Sequence, residues 1–229
     1  MSLPALVIFD LAGTTIEDSG QVPEAFLAAL LAHGVEATAE TVDGIRGASK
    51  REAFTHLLAA VSDERPLAAR VEAAYVTFQR ELAGRFGARG VHAVHGAVET
   101  FAWLRARGIR FALNTGFDRD TTHLLLGALS WLDGFADAVI CVDDVAHGRP
   151  EPDLIRAAMA ATGIDAPDRV ANVGDTALDL EAAARAGVRW NIGVTSGAHR
   201  RERLERLPHT HLIASVAELP ALWPEAVEG

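Results

Sequence analysis

Lysine is nearly absent from this chain. Of its 21 basic residues, 20 are arginines and one, Lys50, is lysine. An arginine stays protonated throughout the physiological range, whereas a lysine amine can lose its proton and attack a carbonyl. A lone lysine in an arginine-rich chain is therefore a candidate for chemistry, although an isolated surface lysine is the plainer reading of that residue alone. Cysteine is equally scarce: a single residue, Cys141, excludes an internal disulfide and any multi-cysteine metal site. Positive charge is in deficit, since 31 acids against 21 bases leave −10, which argues against a general binder of nucleic acid or anionic membrane. No apolar run approaches the ~18 residues of a membrane span. The run Leu3 to Phe9 has no basic segment before it and does not read as a signal peptide. These absences lead to the expectation of a cytoplasmic protein with no nucleic-acid and no membrane partner.

What is present is a chain of 229 residues with 49% apolar content, enough for a substantial core. Ala5 to Phe9 is short, continuously apolar and partly β-branched, the pattern of a strand buried on both faces. Helical periodicity follows over Pro23–His33, Ala39–Arg46, Lys50–Val61 and Pro66–Phe86. From about residue 95 the pattern alternates. Helices are expected at Ala97–Arg107, Arg119–Leu129, Asp153–Thr162, Leu178–Ala186 and Arg201–Leu207. Strands are expected at Ile109–Asn114, Ala138–Val142, Val170–Val173, Trp190–Val194 and His211–Ala214. Alternation of this kind predicts an α/β fold with a doubly wound, Rossmann-like parallel sheet. The helical stretch interrupts the sheet after its first strand and reads as an inserted cap. The expected division is a core of residues 1–16 and 92–229 and a helical cap of residues 17–91. The long helix from Pro66 is expected either to pack the cap or to form a dimer contact. Cys141 reads as an inert thiol inside an apolar strand, and Arg200–Arg203 as a solvated helix face. His209 and His211 lack a partner at metal spacing.

Ligands of open parallel sheets bind beyond the carboxyl ends of the strands, and four strand ends here carry reactive side chains. Asp10 follows the first strand, Thr115 and Gly116 the second. Asp143, Asp144 and Arg149 follow the third, and Gly174-Asp175-Thr176, with Asp179 four residues beyond Asp175, the fourth. Two carboxylates from separate strand ends suit Mg²⁺, which takes one or two carboxylates plus water and phosphate. A threonine hydroxyl, helix-start amides and an arginine suit phosphoryl oxygens. Taken singly, Asp10 reads as a turn residue, Asp175 and Thr115 as helix caps and Arg149 as surface charge. Their order at successive strand ends favours a site.

With these four motifs in order, the sequence resembles the haloacid dehalogenase superfamily over essentially its whole length. The resemblance implies Asp10 as nucleophile, Thr115 as the second-motif hydroxyl, Arg149 as the third-motif cation and Asp175 as metal ligand. Asp179 matches the second acid of the last motif. It further implies Mg²⁺ held by Asp10, Asp175 and the backbone carbonyl of Ala12, with Gly13, Thr14 and Gly116 around the phosphoryl group. The usual second aspartate of the first motif is here Ala12, and the usual third-motif lysine is Arg149. Both departures, together with Thr115-Gly-Phe117 and Gly148-Arg-Pro150, resemble the phosphonatase branch, in which a cap lysine forms a Schiff base with the substrate aldehyde. Gly47-Ala-Ser-Lys50 falls at the corresponding place. Three features differ from that branch: Ala53 stands where it has a histidine, Phe117 where it has tyrosine, and Arg46 where it has methionine. The resemblance implies hydrolysis of the C–P bond of phosphonoacetaldehyde or a related 2-oxoalkylphosphonate, and a homodimer. The alternatives are a phosphate monoester phosphatase of phosphoglycolate type, a dehalogenase, or a non-catalytic protein that binds a phosphoryl ligand.

Overall fold

The computed structural model describes residues 3–61 and 65–223. Six parallel strands form one sheet: β1 (Leu6–Asp10), β2 (Arg110–Asn114), β3 (Ala138–Ile140), β4 (Val170–Gly174), β5 (Trp190–Val194) and β6 (His211–Ile213). Their order is β3-β2-β1-β4-β5-β6, so the expected Rossmann-like α/β topology is observed. Every residue of β1 is buried, because alternate side chains enter two separate apolar layers. Val7 and Phe9 join the larger cluster with Phe101 and Phe111, while Leu6 and Ile8 pack with Leu154, Ala158 and Ala182 on the other face. That two-sided burial explains why the strand reads as an uninterrupted apolar run.

Among the described residues, four helices lie between β1 and the next sheet-flanking helix: α1 (Gln21–Ala32), α2 (Ala39–Gly44), α3 (Lys50–Leu58) and α4 (Leu67–Arg89). Thr38 and Ser49 cap α2 and α3 through their hydroxyls. Phe26, Phe54 and Phe78 meet across α1, α3 and α4, with Phe26 and Phe54 stacked at 4.2 Å between ring centroids. The chain leaves and re-enters the sheet region side by side: Glu17 N–H donates to His92 O and Val94 N–H to Thr15 O. The remaining helices are α5 (Ala97–Ala106), α6 (Arg119–Ala128), α7 (Asp153–Thr162), α8 (Ala177–Ala186) and α9 (Arg201–Leu204).

Two expected ends move for identifiable reasons. The third strand stops at Ile140, not Val142. The Asp144 carboxylate takes the Cys141 N–H, and Val142–Asp144 turn into a short 3₁₀ segment. Cys141 is thus buried just past the strand rather than within it. The fourth helix runs through Gly84 and Gly87 to Arg89, since buried Leu82 and Phe86 anchor it against the cost of those glycines. Arg201–Leu207 shortens to Leu204. Arg203 in that segment is more than a solvated charge: its guanidinium donates to the Asp43 carboxylate of α2 at 2.6 Å.

Candidate active site

Register brings the strand-end residues to one level. Asp10 pairs with Asn114, and Phe9 with Val173, so Asp10, Thr115 and Asp175 emerge together from the carboxyl edge of β1, β2 and β4. Arg149 arrives by the loop after β3 and is only 3% exposed. Its guanidinium spans two carboxylates, with Nη2 2.8 Å from Asp10 Oδ1 and Nε 2.9 Å from Asp179 Oδ1. It also donates to the Asn114 side chain and, at 3.4 Å, to Gly47 O. A planar fork can make these contacts at once, which a lysine ammonium could not reproduce.

Behind this pair the acids are held firmly. Asp175 is fully buried, accepting from Thr14 Oγ1 at 3.0 Å and from Ala198 N–H at 2.6 Å. Gly13 has φ +93°, and a Cβ there would lie 2.2 Å from Asp175 Oδ2, so only glycine lets the β1 loop close over that carboxylate. Thr176 caps α8 and exchanges hydrogen bonds with Asp179, whose Oδ2 accepts Thr176 N–H at 3.0 Å. Asp10, Asp175 and Asp179 offer oxygens that all lie within 4.8 Å of one another.

Three buried carboxylates against one guanidinium leave an excess of negative charge. Burial pushes the Asp10 carboxyl up to about 7, against the opposing pull of Arg149, and Asp179 adds to the rise. Asp175 is likewise pushed well above the usual carboxylate range, by burial first and then by Asp10 and Asp179. An oxygen-only donor set short of positive charge is what a hard divalent cation fits, so this cluster can bind a metal.

The opposite wall comes from α1 to α3. Lys50 is the first residue of α3, 8% exposed, with Nζ donating to Ala48 O at 3.0 Å and standing 5.2 Å from the centroid of the Phe117 ring. Burial lowers its amine to about 8, although the Asp10 carboxylate opposes the shift. Asp10, Ala12, Lys50, Thr115, Gly116 and Arg149 all line one cleft. The two walls touch closely: a Cβ on Gly116 would lie 2.8 Å from Ala48 O, and one on Gly47 would lie 2.5 Å from Thr176 Oγ1.

Not every expected residue faces the cleft. Gly13, Thr14, Asp175 and Asp179 support it from behind, and the Thr14 hydroxyl is committed to Asp175. Asp143 and Asp144 turn to Arg119, the former accepting its backbone N–H and the latter pairing with its guanidinium. Thr115 Oγ1 accepts from Phe117 N–H at 3.1 Å. Residues that sequence reasoning missed include Asn114, Asp18 and the Ala198–His199 turn. Thr176 was placed at the fourth strand end, and its cap on Asp179 follows the Thr176-x-x-Asp179 capping-box pattern. Backbone donation by Ala198 leaves no sequence signal.

A family model for haloacid dehalogenase-like hydrolases matches residues 4–187. The chain belongs to that family and is a hydrolase. A phosphonoacetaldehyde hydrolase of Bacillus thuringiensis (strain Al Hakam) is 28% identical over 203 residues, covering 84% of this chain and 76% of the relative. Among solved structures, a hydrolase from Pseudomonas syringae superposes with a TM-score of 0.83 at 26% identity, covering 95% of this chain and 96% of that one. A phosphonoacetaldehyde hydrolase-like protein from Oleispira antarctica shares the fold, with a TM-score of 0.79, 22% identity and coverage of 97% and 93%.

Proposed function

We propose that this hydrolase cleaves the C–P bond of phosphonoacetaldehyde or a closely related 2-oxoalkylphosphonate. The observation that carries the reading is a buried Lys50 amine on the same cleft as Asp10 and Arg149, in a first motif whose third position is Ala12. The likeness to the Bacillus relative supports it. Residues 17–91 act as a cap that closes Lys50 over a core of residues 1–16 and 92–229.

A phosphate ester leaves as an alkoxide and needs a positioned acid; Ala12 offers none, and general acid catalysis is typically worth about 10²–10⁴-fold. A carbon leaving group activated as an iminium needs no such acid. The neutral Lys50 amine adds to the substrate carbonyl and water leaves, giving a protonated imine. An Asp10 oxygen attacks phosphorus in line as the C–P bond breaks, and the bonding pair moves into the iminium to give an enamine. Arg149 and the Thr115 hydroxyl hold the phosphoryl oxygens while Asp10 is phosphorylated. Water then hydrolyses the acyl phosphate, restoring the Asp10 carboxylate. Protonation of the enamine carbon and hydrolysis of the imine release the carbonyl product and Lys50.

Mg²⁺, held by Asp10, Asp175 and the Ala12 carbonyl, would supply charge neutralisation at the phosphoryl group. Asp179 orients Arg149, and Thr14 with Gly13 fixes Asp175. Phosphate release from phosphonoacetaldehyde, beside a panel of phosphate monoesters and with or without Mg²⁺, tests the reading. The phosphonate is expected to be cleaved fastest and only with metal; faster release from an ester such as phosphoglycolate would overturn it.

A further inference from the structure

The helical wall of the cleft carries a charge that C–P cleavage does not use. Arg46 lines the cleft together with Lys50 and the acid Asp18, among apolar side chains such as Phe26, Val42, Ile45 and Ala53. Its guanidinium has two ionic neighbours, Asp18 Oδ2 at 3.9 Å and Asp43 Oδ1 at 3.7 Å. Neither is within hydrogen-bond reach, and both acids have nearer partners. Asp18 Oδ1 accepts the Gly20 and Val22 amides at the start of α1, at 3.2 and 3.1 Å. Asp43 Oδ2 accepts from Arg203 at 2.6 Å. Arg46 thus lines the cleft with no hydrogen bond to either acid, and its charge is only partly offset.

Its position is set by the backbone. Gly47 is in a left-handed conformation, φ +86°, against Thr176, and its carbonyl accepts from Arg149. The turn that carries Arg46 is therefore pinned to the core four residues before Lys50.

We infer that Arg46 is a specificity residue, which binds a carboxylate on the substrate at the side of the carbonyl remote from phosphorus. The substrate class is then a 2-oxoalkylphosphonate bearing a second acidic group: phosphonate at Arg149, carbonyl at Lys50, carboxylate at Arg46. A forked guanidinium suits a carboxylate held by two parallel hydrogen bonds. The inference rests on the C–P reading for the placement of the carbonyl, and its test does not depend on turnover.

The probes are 3-phosphonopropionate and n-propylphosphonate, which differ in a carboxylate against a methyl group and contain no carbonyl to be cleaved. Calorimetric titration of the full chain is expected to show the carboxylated compound binding about tenfold tighter or more. Arg46→Met is expected to bring the two affinities within about threefold, and Arg46→Lys to retain part of the preference. If Arg46→Met does not fold, Arg46→Gln serves the same comparison. Equal affinities in the wild type, or a preference that survives loss of the guanidinium, would overturn the inference. Tighter binding of the propyl compound would do the same and mark this wall as an apolar subsite. Failure of the C–P reading shows separately, as absence of phosphate release from any phosphonate.

Discussion

The two walls of the cleft do opposite things with burial. At the strand ends, three carboxylates crowd around one guanidinium, and burial raises the acids, Asp10 to about 7. Some 40 residues along the chain, α3 buries a single amine with little to pay back the lost hydration, and burial lowers Lys50 to about 8. Each wall is electrostatically unsatisfied in the way its partner in catalysis can relieve. A divalent cation would neutralise the acids, and a carbonyl carbon would consume the amine's lone pair. On the proposed reading, phosphorus chemistry belongs to the sheet side and carbonyl chemistry to the helix side, and mutations should separate them.

The largest effects come from removing either reacting atom. Asp10→Asn is expected to lower phosphate release from phosphonoacetaldehyde by about 10⁴-fold or more, through loss of the nucleophile. Lys50→Arg keeps a positive charge but no usable lone pair, and is expected to cost about 10³-fold or more on the same substrate. Steady-state phosphate assays on the two variants check both. A wild-type rate in Lys50→Arg would merge the two walls into one electrostatic site.

How far these walls were legible in the sequence differs for a physical reason. Parallel strands in register deliver their terminal residues to one edge, so Asp10, Thr115 and Asp175 could be assigned to a common site from strand order alone. The helix side has no such rule. Lys50 stood out by scarcity and by its likeness to one branch of the family, and nothing in the periodicity indicated that it would face Phe117 and Asp10. The inward turn of Thr14 toward Asp175 and the outward turn of Asp143 and Asp144 toward Arg119 depend on loop conformations that side-chain type does not determine. The early end of β3 has the same origin, a carboxylate competing for a ladder amide. Thr176 and Asp179 were encoded locally, and their hydrogen bonds follow the pattern of their spacing.

A pH series sharpens the electrostatic contrast with a smaller effect. With an amine near 8, roughly one Lys50 in ten is neutral at pH 7, against about one in 2,500 for an unperturbed lysine. The rate of imine formation is therefore expected to rise about tenfold per pH unit below 8 and to level off above it. Stopped-flow measurement with the aldehyde would read this; a rate still climbing at pH 10 would place Lys50 in ordinary solvent.

The smallest effect is on stability. Mg²⁺ at about a hundredfold excess over its dissociation constant adds ~2.7 kcal/mol to the folded state, which raises the melting temperature of a domain this size by about 5–10 °C. Asp175→Asn is expected to lose most of that increment, measured by thermal melting with and without metal. An unchanged increment would remove Asp175 from the metal site.

The division of labour between the two walls is tested most directly by reductive trapping. Borohydride added with phosphonoacetaldehyde should fix a covalent adduct, and peptide mass mapping should locate it on the segment containing Lys50. With one lysine in the chain, the α-amino group is the only competing primary amine. The account expects a single adduct at Lys50 in the wild type and in Asp10→Asn, and none in Lys50→Arg. Absence of an adduct at Lys50 from a wild-type protein that is releasing phosphate from phosphonoacetaldehyde would contradict it.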